Sequence, residues 1–185
     1  MKHLGTKTLE TPRLILRKFK LEDVEALYKN WASDPEVTKY LTWPAHSSVE
    51  VSRRVLESWL SAYDQADFYQ WAIELKTLGE PVGTISVVGI NEKAESLQIG
   101  YCIGKEWWGK GIMTEAFSEV IRFLFEEVGA RRIEARHDAK NPASGAVMKK
   151  CGLHYEGTLR KSDWNNQGIC DAVYYGLLRE EYTGK

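Results

Sequence analysis

Two periods of apolar residues alternate along this chain, and each change of period marks an element. Leu14, Ile15 and Leu16 form a short extended run after Pro12 and predict a first strand over 13–19. Leu21, Val24, Leu27, Tyr28 and Trp31 then recur at helical spacing. Asp34-Pro35 ends that helix, because proline drives the residue before it out of the helical region. A second helix is expected from about Ser47, with Ser47 and Glu50 spaced as a capping box and Val51, Val55 and Trp59 on one face. From Tyr69 to Leu75 apolar and polar residues alternate, as in a half-buried strand. Pro81 to Val88 and Leu97 to Ile103 read as two further strands. The connections are too short for crossovers, so the three strands form an antiparallel meander.

After Gly104 the helical period returns. Ile112, Ala116, Val120, Leu124 and Val128 make one row, Met113, Phe117, Ile121 and Phe125 the next, and Gly129 is the natural stop. Arg132 to His137 is a short strand. Asn141-Pro142 opens another helix, asparagine as N-cap and proline in the first turn, running to Cys151. Extended segments near 153–160 and 170–178 close the chain. The order is βααβββαβαββ, a mixed α/β fold. At 185 residues, against roughly 150 per domain, residues 1–185 read as a single domain.

Charge and cysteine use narrow the function. Twenty-five Lys+Arg against 26 Asp+Glu leave a formal charge of −1, which excludes a nucleic-acid binder working through bulk positive charge. No apolar run approaches the ~18 residues of a membrane span, and Met1 to Lys7 holds no apolar signal core. A cytoplasmic protein is expected. Cys102, Cys151 and Cys170 are widely spaced without a Cys-x-x-Cys pair, which argues against a disulfide framework and against a metal site.

The chemistry gathers at Gly104-Lys105-Glu106-Trp107-Trp108-Gly109-Lys110-Gly111, which joins a strand to the long amphipathic helix. A helix start offers unpaired N–H groups and partial positive charge, and glycines let an anion approach them. A P-loop would need Ser or Thr where Gly111 stands. A dinucleotide fold would need a third glycine at Thr114 and more βα units than follow Asp138. A third class needs only amides for a pyrophosphate.

Here the chain resembles a known family. Trp108-Gly109-Lys110-Gly111 with Thr114-Glu115-Ala116 resembles the acyl-CoA loop of GNAT N-acetyltransferases, in the ribosomal-protein (Rim-type) branch. Against the general pattern Arg/Gln-x-x-Gly-x-Gly/Ala, Trp108 and Met113 depart and Gly111 matches. Thr11-Pro12-Arg13-Leu14-Ile15-Leu16-Arg17, Asp34-Pro35-Glu36-Val37, Ile99-Gly100-Tyr101, Asn141-Pro142-Ala143-Ser144 and Lys150-Cys151-Gly152-Leu153 resemble further blocks of that branch, in order. The resemblance implies the GNAT acyl-CoA N-acyltransferase fold, a mostly antiparallel central sheet flanked by helices. It implies acetyl-CoA as co-substrate, no metal, and direct acetyl transfer to a primary amine without a covalent enzyme step.

The resemblance also assigns residues. The backbone of Trp108, Gly109, Lys110, Gly111, Ile112, Met113 and Thr114 would hold the diphosphate, with Lys105 and Lys110 adding charge. A backbone N–H at Cys102 or Ile103 would bind the thioester oxygen, Asn141 the pantetheine arm, and Ser144 the leaving sulfur. Asp163 is the first candidate for a general base and Glu95 the second, while Asp163 also suits a plain turn. Tyr155 is an alternative acid. His137 and His154 read better as strand-end residues. A nucleophilic Cys102 would need an activating base that the sequence does not show.

Of the seven tryptophans, Trp31, Trp59 and Trp71 fall on apolar rows and suit the core. Trp43 and Trp164 lie in loops and are expected to line the acceptor pocket. The acceptor itself stays open: a protein N-terminal α-amine, such as that of a ribosomal protein, or a small amine or antibiotic. A non-catalytic CoA-binding module is the competing class. No separate substrate domain fits in the length, so this domain's loops, or a second copy in a dimer, must build the acceptor site.

Overall fold

The computed structural model describes residues 1–184. Eight strands make one sheet: β1 (Leu9–Glu10), β2 (Leu14–Arg17), β3 (Gln70–Leu75), β4 (Glu80–Asn91), β5 (Ser96–Ile103), β6 (Arg132–Asp138), β7 (His154–Asn165) and β8 (Gly168–Leu178). Their spatial order is β1-β2-β3-β4-β5-β6-β8-β7. Every neighbouring pair is antiparallel except β5 and β6. That parallel pair needs a crossover, and the long helix α4 (Ile112–Phe123), extended by a wider π turn over Leu124–Val128, supplies it.

The sheet carries a core on each face because its strands alternate. On one face, Leu97 and Ile99 of β5 pack with Trp71, Ile85 and both rows of α4, from Ile112 and Met113 to Phe125 and Val128. On the other face, Ala72 and Cys102 meet Trp31, Leu27 and Leu56 from α1 (Val24–Leu27), the π turn after it, and α3 (Val49–Ala62). No helix among the described residues is long and apolar enough to cross a membrane.

Several expectations need correcting. A two-residue strand β1 pairs with β2, too short to leave a periodic signal. Asp34-Pro35 ends one helix and also starts another, α2 (Pro35–Thr38), because the Asp34 side chain accepts the Glu36 N–H at 2.8 Å with proline in the first turn. The capping box at Ser47 does not form. α3 begins after Ser48, which makes no side-chain cap, and Glu50 faces Arg53 instead. Its buried face is Ser52 and Leu56, with Trp59 half-buried against Phe19. The last two strands run longer than expected and form a hairpin turning at Asn166-Gln167. Asp163 is therefore a strand residue opposite Cys170 rather than part of the turn.

One irregularity positions the site. β5 and β6 pair only from Ser96 with Arg132 to Ile99 with Ala135. Beyond that, β5 continues to Ile103 and β6 to Asp138 without pairing to each other. The sheet splits there. α5 (Pro142–Lys150) lies on one side of the split and the loop into α4 on the other.

Candidate active site

A cavity of about 430 Å³ opens at the split. Tyr101, Cys102 and Ile103 of β5 form its floor, with Trp108, Gly109, Gly111, Ile112, Met113 and Thr114 along one wall. Asn141, Ser144, Val147 and Lys150 of the α5 region, with Glu36, Val37, Tyr40 and Leu41, complete the lining. The space is lined mainly by apolar side chains with a few polar groups among them, as small-molecule sites are.

Gly109 and Gly111 have φ of +71° and +72°, and Gly111 is the N-cap of α4. That left-handed pair turns the chain sharply and leaves the first amides of α4 without side-chain caps. A side chain at Gly109 would point into open space, so the backbone is approachable from outside. Uncapped amides at a helix start suit a diphosphate, and the carboxylate of that first turn, Glu115, is held by Thr11 and Arg13. The residues present thus fit the phosphate part of a CoA thioester.

The cations divide differently from expectation. Lys105 is held by Glu36, which raises its pKa. Lys110 contributes its carbonyl to Arg13 Nη1 at 2.9 Å, and its side chain does not line the cavity. Lys150, not singled out from the sequence, does line it. Trp108 is 46% exposed and donates its indole N–H to the Ile103 carbonyl at 2.9 Å, tying the loop to β5.

The two candidate amides for the thioester oxygen are not equivalent. The Gly104 N–H donates to the Val82 carbonyl on β4 at 2.9 Å. By the two-residue alternation of a strand, the Cys102 N–H also points toward β4, and the Ile103 N–H points into the split. Burial pushes the Cys102 thiol up to about 12, so at neutral pH it is no thiolate.

Ser144 hydrogen-bonds a partner that sequence reasoning missed. Its Oγ donates to the Tyr101 hydroxyl at 3.1 Å, while that hydroxyl donates to the Ser144 carbonyl at 2.9 Å. Burial keeps Tyr101 neutral by raising its pKa. Asn141 makes no side-chain cap, so its amide is left for the cavity it lines.

The carboxylates lie elsewhere. Asp163 accepts from Arg136 Nε at 2.6 Å and from the Trp164 N–H at 3.0 Å, and it does not line the cavity. Glu95 sits in the turn before β5, at the opposite end of that strand. It binds the Met1 amine and Arg131, which lower its pKa. Tyr155 is 58% exposed and meets Thr158. His137 Nδ1 lies 2.7 Å from the Asp138 carbonyl. Trp43 is half-buried against the second core and meets His46 at a tilt with centroids 5.2 Å apart, while Trp164 is exposed. Neither tryptophan lines the cavity.

Residues 13–154 match the family model described as "Acetyltransferase (GNAT) domain". The chain belongs to the GNAT acetyltransferase family. Along 96% of its length this acetyltransferase is 34% identical to "Uncharacterized N-acetyltransferase p20" of Bacillus licheniformis, of which the match covers 99%. It superposes with a TM-score of 0.83 on the GNAT-family acetyltransferase from Bacillus anthracis, at 26% identity and covering 94% and 99% of the two chains. Its likeness to the [Ribosomal protein uS5]-alanine N-acetyltransferase of Escherichia coli is partial: 37% identity over 59 residues, 32% of this chain and 30% of that one. The protein is an acetyl-CoA-dependent N-acetyltransferase. The narrower ribosomal-protein branch is not what these likenesses establish.

Proposed function

We propose that the acetyltransferase acts on a primary amine of low basicity, with the free α-amine of a polypeptide as the preferred acceptor. The charge inventory of the cavity carries this reading. Among the described residues lining it, Glu36 is the one carboxylate, and Lys105 already holds it. An ammonium entering there loses water and meets no free carboxylate, so the acceptor has to arrive as free base. At pH 7.5, removing the proton from a lysine-type amine costs about 4 kcal/mol, and from an α-amine of pKa about 8 well under 1 kcal/mol. A ribosomal-protein N-terminus is the special case favoured by the partial likeness to the uS5-alanine enzyme.

Within this reading the chain's own groups divide the work. Acetyl-CoA supplies the activated acetyl group. Amides from Gly109 to Thr114 hold the diphosphate, and the Asn141 side chain binds the pantetheine arm. The Ile103 N–H receives the thioester oxygen as charge grows on it. Ser144 turns from Tyr101 to donate to the leaving sulfur. Asp163 keeps Arg136, and an acceptor with a pKa near the working pH sheds its proton to water without it.

Thiol release from acetyl-CoA, followed over a panel of amines at pH 7.5, tests the proposal. Peptides with a free α-amine should exceed Nα-blocked lysine peptides in kcat/KM by at least about tenfold. Equal or faster turnover of the lysine side chain overturns it.

A further inference from the structure

Val37, Tyr40 and Leu41 form part of the cavity wall, and the last two belong to the irregular segment between α2 and α3. Helix and strand hydrogen bonding do not hold this segment. At its start the Leu41 N–H donates to Thr38, and near its end the His46 N–H donates to the Ala32 carbonyl at 2.8 Å. Between those points one residue from the opposite end of the chain reaches it. Asn166, at the tip of the β7–β8 hairpin, donates its backbone N–H to the Leu41 carbonyl at 3.0 Å. Its side-chain amide donates to the Thr38 and Trp43 carbonyls, both at 2.8 Å.

We infer that Asn166 is a positioning residue for the acceptor side of the reaction, fixing where Tyr40 and Leu41 stand. The inference rests on reading the α2–α3 wall as the acceptor end, since the glycine loop and α5 occupy the cofactor end. It does not depend on which amine is accepted. The carbonyls of residues 38, 41 and 43 bracket the two wall residues, so holding all three from one point sets both side chains. The hairpin tip is itself rigid. Asn165 is buried, its side-chain Nδ2 donates to Asp138 at 2.7 Å, and its side-chain Oδ1 accepts the Gln167 N–H at 2.8 Å. Asn166 thus joins the segment to the end of β6, the strand that borders the split. Because the Asn166 side chain is exposed, water competes for its bonds, and it adds little to global stability. What it controls is the place of the wall.

Two variants separate positioning from packing. Asn166→Ala removes both side-chain donors. Asn166→Asp keeps the shape but turns acceptor oxygens toward the carbonyls. Both should raise the acceptor KM roughly tenfold, the effect of losing two hydrogen bonds, while CoA affinity by calorimetry and Tm stay at wild-type values. Amide exchange over 38–46 should quicken in both. KM is read with a free-α-amine peptide or, if none turns over, with the fastest amine of the panel, so failure of the α-amine reading stays separate. An unchanged acceptor KM overturns the inference. So does wild-type behaviour in Asn166→Asp, or a KM rise accompanied by equal losses in CoA affinity and Tm.

Discussion

Arg13 and Glu115, 102 positions apart in sequence, meet at 2.6 Å between Nε and Oε2. The same carboxylate accepts the Arg13 N–H at 2.9 Å and the Thr11 hydroxyl at 2.6 Å, while Arg13 Nη1 reaches the Lys110 carbonyl. The Thr11-Pro12-Arg13 segment is thereby fastened to the glycine loop and the first turn of α4. Two sequence blocks that look independent form one clamp under the proposed phosphate site.

The clamp gives a pH-dependent prediction. Burial alone would raise the Glu115 pKa, but the bonds from Thr11 and Arg13 outweigh it and hold the carboxyl below its ordinary value. A carboxylate lowered in the folded state stabilises above its unfolded pKa, and that contribution is lost as pH falls through the folded value. Glu115→Gln should therefore cost about 1–2 kcal/mol at pH 7. The difference from wild type should close only as pH falls through the lowered folded-state pKa, beneath the ordinary carboxylate range. Urea unfolding of both proteins across that range checks the sign. CoA affinity should fall with it, since the loop loses its anchor.

The glycine pair separates strain from obstruction. Gly109→Ala meets no neighbour but keeps a left-handed φ, so the expected loss is about 1–2 kcal/mol of stability. Gly111→Glu adds a bulky anion at the helix start and should abolish calorimetrically detectable CoA binding. Wild-type affinity in that variant would remove the loop from the cofactor site.

At the other wall, Ser144→Ala should lower kcat about tenfold or more, with CoA affinity within about twofold, if the hydroxyl serves the leaving sulfur. Tyr101→Phe should show mainly in stability, by about 1–2 kcal/mol, because it removes the hydroxyl that bonds both the Ser144 carbonyl and the Ser144 hydroxyl.

Cys102→Ala tests the absence of a thiol step. A sulfur whose pKa is pushed up to about 12 is protonated at working pH, so steady-state kcat should stay within about twofold of wild type. Trapping of an acetylated protein after mixing with acetyl-CoA would contradict direct transfer.

The long helix was legible because both of its apolar rows are buried, and the glycine loop because its signal is local backbone geometry. β1 is two residues long and leaves no period. The surroundings of the two candidate carboxylates were hidden for another reason. Whether Asp163 or Glu95 is free depends on Arg136, Arg131 and the Met1 amine, all distant in sequence. Tyr101 read as an ordinary strand residue, since only the fold brings it to Ser144, 43 positions away. Asn166 carried a turn signal in Asn165-Asn166-Gln167-Gly168, but nothing local named the carbonyls it would meet.

The four residue pairs joining β5 to β6 are the seam between two half-sheets, β1 to β5 and β6 to β8. Past Ile99 and Ala135 the seam is left open, and the two strands no longer pair with each other. A ligand arm entering there would take the place of the missing rungs and lace the halves together. Occupancy of the site and mechanical unity of the sheet would then be one variable, and slowed amide exchange on both Tyr101–Ile103 and Arg136–Asp138 would register it from either side.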